Sequence, residues 1–390
     1  MIRRINLILA TALAFSALVV AQPATETTSD SAPVTDKGNT WMQWRGPTRD
    51  GRFYGPQWPA DFSSLKELWR VPLGESYSGP IVTDTHVITT ETKDRKYEVV
   101  HAVDRKTGEI AWSREWQGAM KVPFFAARNG SWIRSTPASD GTSVYVGGIR
   151  EVLVALDAKT GQERWKIDFV DQFGTSLPKF GFVCSPMIDG EFVYVQAAAG
   201  FVKIHGDSGK VVWRTAVDGG GMFGSAFSSP VTGEINGREM LLVQTRNSLK
   251  GIDAESGEEL CSRDIKAYRG MNILTPTVFK NAVFTSAHSG QGELLKFASA
   301  EDGFDIEPAW ENRKLEAYMS SPVVIDDFGY MLLKSNRFAC FYLPTGKEQW
   351  RSNRAFGGYW SMVTQGNRIL ALDERGDLMI IRANPEKLDI

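Results

Sequence analysis

Six stretches of the chain concentrate aromatic, methionine, glycine and arginine side chains: 116–135, 171–185, 218–229, 266–275, 314–320 and 354–361. Within them Arg128, Trp132, Arg134, Phe182, Arg269, Asn272, Tyr359 and Trp360 are the candidate ligand-binding residues. Planar rings can cover a flat ligand, and guanidinium groups can pair with its carboxylates through two parallel hydrogen bonds. Trp132, Tyr359 and Trp360 would equally suit stacking on sugar rings. The same side chains also suit plugging a channel and packing one element on another, so both readings stay open.

Other chemistries find less support. Acids in and beside these stretches are few (Asp168, Asp171, Asp218, Glu316), which is thin material for a general base or a calcium site. His86, His101, His205 and His288 show no metal-ligand spacing, so a metal site is not expected. No G-x-S-x-G elbow is present, and Gly219-Gly220-Gly221 lacks the Lys-Ser/Thr that would make it a phosphate loop. Cys184, Cys261 and Cys340 read as buried small apolar side chains rather than a disulfide framework. The formal net charge of −2 gives no basic face for nucleic acid.

The elements that would position these residues come from a repeat. One phrase recurs: AVDRKTGEIAW at 102–112, ALDAKTGQERW at 155–165, KIHGDSGKVVW at 203–213, GIDAESGEELC at 251–261 and CFYLPTGKEQW at 340–350. A looser copy at 298–310 holds three extra residues before Trp310. Each copy is preceded by a proline and a β-rich run; the prolines at 80, 137, 186, 230, 276 and 322 are 57, 49, 44, 46 and 46 residues apart. Four short strands per unit, with a glycine turn before the last, describe a propeller blade. Trp69, Trp112, Trp165, Trp213, Trp310 and Trp350 are the expected docking residues between blades, with Cys261 in the same place. The fold class is therefore all-β: a seven-bladed β-propeller of four-stranded antiparallel blades. The last unit stops before its fourth strand, so an N-terminal strand around Trp69 (65–73) is expected to close the ring; an eighth blade is allowed if 41–60 supplies one.

The N-terminus reads as an export signal over 1–21, with Arg3 and Arg4 before an apolar run from Ile5 to Val20. Residues 22–40 hold almost no large apolar side chain and are expected to be a disordered linker, leaving 41–390 as the propeller domain. An exported, periplasmic or secreted protein follows, with no transmembrane segment after signal cleavage.

The A-x-D-x-x-T-G-x-x-x-W phrase, clearest at Ala102–Trp112 and Ala155–Trp165, resembles the tryptophan-docking repeat of the quinoprotein-like (PQQ-like) family. The opening Trp44-Arg45-Gly46-Pro47-Thr48-Arg49-Asp50-Gly51 is similar to the start of exported bacterial members. The resemblance implies two functions of different kinds. One is a binding or scaffolding module that uses its loop face for periplasmic or outer-membrane proteins and needs no cofactor. The other is a dehydrogenase using pyrroloquinoline quinone with Ca²⁺. The chain departs from the catalytic members in lacking their adjacent-cysteine pair and any C-x-x-C-H, so the scaffold is the expectation, with no catalytic residue and no cofactor.

Overall fold

The computed structural model describes residues 39–124, 130–219, 224, 226–301 and 303–390. The expected signal peptide, most of the expected linker, Arg128 and most of the glycine-rich 219–224 lie outside the described residues.

Seven antiparallel sheets follow one another along the chain. Blade one runs from β1 (Ile81–Val82) to β4 (Ile110–Gln117), and blade two from β5 (Ala138–Ser139) to β8 (Glu163–Asp168). Blade three spans β9 (Met187–Asp189) to β12 (Val211–Thr215), and blade four β13 (Val231–Ile235) to β16 (Glu259–Asp264). Blade five spans β17 (Thr277–Phe279) to β20 (Gly303–Asn312), and blade six β21 (Val323–Ile325) to β24 (Lys347–Arg351). Blade seven has three strands, β25 (Trp360–Gln365), β26 (Arg368–Asp373) and β27 (Leu378–Arg382). First strands of successive blades approach each other, β5 with β9 and β21 with β25, which places them around the axis.

The repeat phrase has a local cause. The aspartate at the end of the third strand accepts from the two amides that follow the next residue: Asp104 from Lys106 and Thr107, Asp157 from Lys159 and Thr160. These side chain–backbone bonds pin the turn, and the glycine that completes it sits at positive φ (+76° at Gly108, +70° at Gly161). That glycine lies flat on the preceding blade's tryptophan: a Cβ on Gly161 would stand 2.5 Å from the Trp112 ring, and one on Gly209 2.8 Å from Trp165. The indole N–H then reaches a carbonyl of the same turn, Trp112 to Ala158 at 3.1 Å, Trp165 to Gly206 at 2.6 Å and Trp310 to Leu343 at 2.7 Å. Trp69, Trp213 and Trp350 make the same bond to Arg105, Glu255 and Asn384.

Between blades four and five Cys261 replaces the tryptophan for a steric reason. The hairpin of β19 (Gly292–Ala300) and β20 is the longest in the molecule's sheets and lies against β16. Its tip approaches so closely that a Cβ on Gly303 would meet the Leu260 carbonyl oxygen at 2.0 Å. An indole does not fit there. Cys261 packs instead with Leu260, Phe297 and Ile306 in one cluster. All three cysteines are free and buried, and burial pushes the Cys184 thiol up to about 11.

Apolar clusters fill the junctions one–two, two–three, three–four, four–five, five–six and six–seven. Among the described residues no such cluster spans blades seven and one. The closing strand expected over 65–73 is not formed. The fourth position beside β27 begins instead with the chain's own C-terminal residues, where the Arg382 amide donates to the Asp389 carbonyl at 2.9 Å. Trp69 still reaches the blade-one turn, but 65–73 makes no ladder with β27. The irregular stretch from Gly55 to Pro59 holds the seam by accepting from the Gln365 and Arg368 side chains.

Candidate functional site

Two features of the axis carry polar side chains in unusual settings. The first is the hub. Trp41 pairs with Val82 of blade one, and the Met42 carbonyl accepts from Ser139 of blade two. The Gln43 side chain accepts from Ile188 of blade three, and Trp44 donates to Thr275 of blade five at 3.1 Å. The Phe53 amide donates to the carbonyl of Thr364 in blade seven, and the Thr364 amide donates back to the Gly51 carbonyl. Residues 41–53 therefore thread the axis and touch the first strand or the strand entry of the blades around them.

Arg45 and Arg49 are the spokes of that hub. Arg49 is 3% exposed and donates to the carbonyls of Pro230 (2.7 Å), Pro186 (2.9 Å) and Ser185 (3.2 Å) and to the Gln43 side chain (3.2 Å). Arg45 reaches the carbonyls of Pro322 (2.6 Å), Asp50 (2.8 Å), Arg49 (3.2 Å) and Ser321 (3.4 Å). All eight acceptors are neutral, and burial lowers Arg45 to about 10 and Arg49 to about 9. The carbonyls at each Ser/Thr-Pro entry face the axis because first strands have no inner neighbour, and a planar five-donor fork can satisfy several at once. The entry hydroxyls also link neighbouring blades: Gly79 N–H to Thr136, Thr136 N–H to Ser185, Ser185 N–H to Ser229 and Thr275 N–H to Ser321, all between 2.9 and 3.1 Å. This is the job of Thr136, Ser185, Ser229 and Ser321, each of which precedes a proline of the repeat.

The second feature is a belt on the face formed by the connections between blades. The Arg134 guanidinium lies 5.1 Å from the Tyr77 ring, and Tyr77 is 6.5 Å from Tyr359. Tyr318 lies tilted against His288 at 4.8 Å, and His288 is 5.5 Å from Tyr268, itself covered by Arg269 at 4.9 Å. Burial first, then the neighbouring Tyr318 and Tyr77, holds the Tyr359 phenol above its usual value. Burial, followed by the Lys334 charge, keeps His288 below its usual value. The belt is thus a line of half-exposed phenols with a cation at either end, and it is suited to binding by stacking and cation–π contact rather than to proton transfer.

Of the residues expected to bind a ligand, Arg134, Arg269 and Tyr359 lie in this belt. Trp132 is half-buried, with its ring against Gly130. Phe182 and Asn272 are buried and offer no surface. Phe182 stacks on Phe169 in the core, and the Asn272 amide donates to the Thr245 and Arg246 carbonyls to hold a turn. Trp360 is buried, with Phe338 tilted against it at 4.9 Å and Phe356 edge-on at 4.8 Å, so it offers no exposed ring to a sugar. The stretch expected as a loop at 171–185 opens with a short helix, α1 (Phe169–Phe173), capped by Asp168. Tyr77 and His288 were not legible as site residues, because neither stands out from the β-rich sequence around it. Arg45 and Arg49 stand in the Trp44–Gly51 opening phrase, but their role is one that only the fold explains.

Among the described residues no group of three or more His, Cys, Asp or Glu could hold a metal ion, and no helix is long and apolar enough to cross a membrane. The family model described as outer membrane protein assembly factor BamB matches residues 96–352. The assembly factor BamB of Yersinia pestis is 23% identical over 262 residues, covering 64% of this chain and 63% of that protein. A polyvinylalcohol dehydrogenase of Sphingopyxis is 26% identical over 193 residues, covering 45% of this chain and 28% of that enzyme. The chain thus spans less than two thirds of the length of either relative. The crystal structure of BamB from Moraxella catarrhalis superposes with a TM-score of 0.58 at 17% identity, over 80% of this chain and 83% of that one, which shows a shared propeller fold. With the repeat, the seven blades and a family match across most of them, the chain belongs to the outer membrane protein assembly factor BamB family of PQQ-like repeat proteins.

Proposed function

We propose that this chain is an exported, periplasmic scaffold that holds a protein partner of outer-membrane assembly against its tyrosine–arginine belt. The observation that carries this reading is the belt itself: Tyr77, Tyr268, Tyr318 and Tyr359 with Arg134 and Arg269 on one face. Tyrosine and arginine dominate the binding energy of protein interfaces, because they bring large contact area at low entropic cost and can still hydrogen-bond. Tyr77 and Tyr268 are 43% and 47% exposed, so they have area left to bury. The names of the relatives support the class of partner.

A quinone dehydrogenase fits the residues poorly. Pyrroloquinoline quinone carries several carboxylates, which need uncommitted cations, and its calcium needs several oxygen ligands. Arg45 and Arg49 are spent on main-chain carbonyls, and Arg134 stacks on Tyr77 while donating to the Gly130 carbonyl. The acids near the belt are tied as well, Glu316 to Lys334 and Asp218 to Arg246.

The test is site-specific photo-crosslinking in a bacterial envelope, with the photoreactive residue at Tyr268 or, as a control, at Thr107 on the opposite face. Adducts to an outer-membrane assembly protein from Tyr268 alone, lost when Arg134→Ala and Tyr359→Ala are combined, are expected. Equal adducts from both faces would overturn the reading. Calorimetric titration with pyrroloquinoline quinone and Ca²⁺ should give no heat; micromolar binding lost in Arg134→Ala would restore the dehydrogenase.

A further inference from the structure

Three strands of blade one bring together side chains that the sequence keeps ten and twelve positions apart, Glu91, His101 and Ser113. β2 (His86–Lys93), β3 (Tyr97–Asp104) and β4 pair in a register that sets Thr89 beside His101 and His101 beside Ser113. Glu91 lies two residues along β2 from Thr89 and so shares its face. The Ser113 hydroxyl stands 2.7 Å from His101 Nδ1, and a Glu91 carboxylate oxygen stands 3.4 Å from His101 Nε2. The other Glu91 oxygen accepts from the Gly74 amide, which holds the carboxylate in place. Val100 and Ala102 pack into the core between blades one and two, so the array occupies the opposite face of the blade, the one turned to the seam. His101 is 8% exposed, whereas Ser113, on the outermost strand, is open to solvent.

The repeat does not demand this pair. At the same register, next to the docked tryptophan, blades two, three and six hold Val154–Lys166, Val202–Arg214 and Ala339–Arg351. Blades therefore form without an imidazole there. The other charges on this face of blade one, Lys93 and Glu115, pair with each other at 3.2 Å. A carboxylate beside Nε2 favours the tautomer with its proton on that nitrogen, which leaves Nδ1 to accept from Ser113. A hydroxyl, a base within hydrogen-bond reach and a third group that orients the base make an activated nucleophile, whatever the fold or the order in the chain.

We propose that Ser113 is a nucleophile activated by His101 and positioned through Glu91, and that it takes acyl groups from small activated esters. The Ser113 oxygen attacks the ester carbonyl and its proton passes to His101 Nδ1. The ester C–O bond then breaks, and the leaving alcohol carries that proton away. Water attacks the acyl-serine and gives a proton to Nδ1, and the carboxylic acid departs as Ser113 regains its proton. Exposure on an outer strand suits small esters of acidic alcohols, whose departure needs little help from the protein. The activity is independent of the belt, and failure of either leaves the other standing.

The test is rapid mixing of the full chain with 4-nitrophenyl acetate, with the acetylated residue located by mass spectrometry after an acid quench. A burst of 4-nitrophenolate approaching one per chain, with the acetyl group on Ser113, is expected. Ser113→Ala should abolish the burst, and His101→Gln should slow acylation about 100-fold. Glu91→Gln should slow it about 10-fold where His101 is present and not at all in the His101→Gln chain. Equal slowing in both backgrounds would overturn the positioning role of Glu91. Ser113→Cys keeps the array if circular dichroism shows the His101 variant misfolded. The three native thiols are buried, so iodoacetamide reads the new thiol, which should react about 10-fold faster than the one in Glu115→Cys on the same strand and face. The proposal is overturned by a chain that gives no burst, by a burst that survives Ser113→Ala, or by equal thiol rates at the two positions.

Discussion

The junction of blades two and three and the junction of blades seven and one solve one packing problem with different material. At two–three, Trp165 lies under Gly209, donates to Gly206 and packs with Tyr145, and a cluster from Leu153 to Ile204 fills the space behind it. Glu151 adds a buried link by accepting from the Ala198 amide at 2.7 Å. At seven–one the docked Trp69 remains, but no apolar cluster stands behind it among the described residues. Contact passes through residues 41–59 and leaves a cleft. The regular junctions are built from the repeat, whereas the seam is built from a segment that precedes it. A propeller thus needs two kinds of information: a unit that repeats, and one non-repeating piece that closes it.

The sharpest way to break this comparison is to remove the non-repeating piece. Arg49→Ala leaves the carbonyls of Ser185, Pro186 and Pro230 buried and unpaired, and should cost about 4 kcal/mol of stability by urea denaturation. Arg49→Lys should recover little of it, since a single ammonium cannot span blades three and four. A loss below about 1 kcal/mol would mean the hub is ornamental.

Next in size is a glycine pair. Gly209→Ala drives a methyl into the Trp165 ring and also strains a residue at φ +70°, for about 3 kcal/mol. Gly376→Ala, at φ +87° in the blade-seven turn with nothing within 4 Å, should cost about 1 kcal/mol. Equal melting-temperature shifts would show that docking contributes nothing beyond the turn.

The carboxylate at junction two–three gives a pH dependence. Burial raises Glu151 to about 7 from a usual value of 4.5, so the folded state holds its proton between those limits and the unfolded state does not. Its contribution is full below pH 4.5 and is lost as the pH rises through about 7. Glu151→Gln should flatten the stability profile across that window by about 2 kcal/mol, and an unchanged slope would assign the proton elsewhere. The smallest effect is expected at the seam: Trp69→Ala should cost about 1 kcal/mol, against about 3 kcal/mol for Trp165→Ala.

Much of this architecture is legible without coordinates, and the reason is locality. The Asp, the Thr-Gly turn and the tryptophan lie within eleven positions of one another, so one sequence window holds a whole turn and its docking ring. Five such windows and a looser sixth imply an all-β propeller of about seven blades and the order of strands within each. Aromatic loops on one face follow from the same reading, and Arg134, Arg269 and Tyr359 came from it. The tertiary structure alone decided which aromatics are surface. Phe182 and Trp360 have the composition of a binding loop but are buried by Phe169, Phe338 and Phe356, which come from distant strands or another turn of the backbone. It alone also decided the role of Arg49, whose carbonyl partners lie 136 to 181 residues away. Local pattern sets turns and strands because their bonds are local. The hub exists only once the ring of blades has brought its inward-facing carbonyls to a common axis.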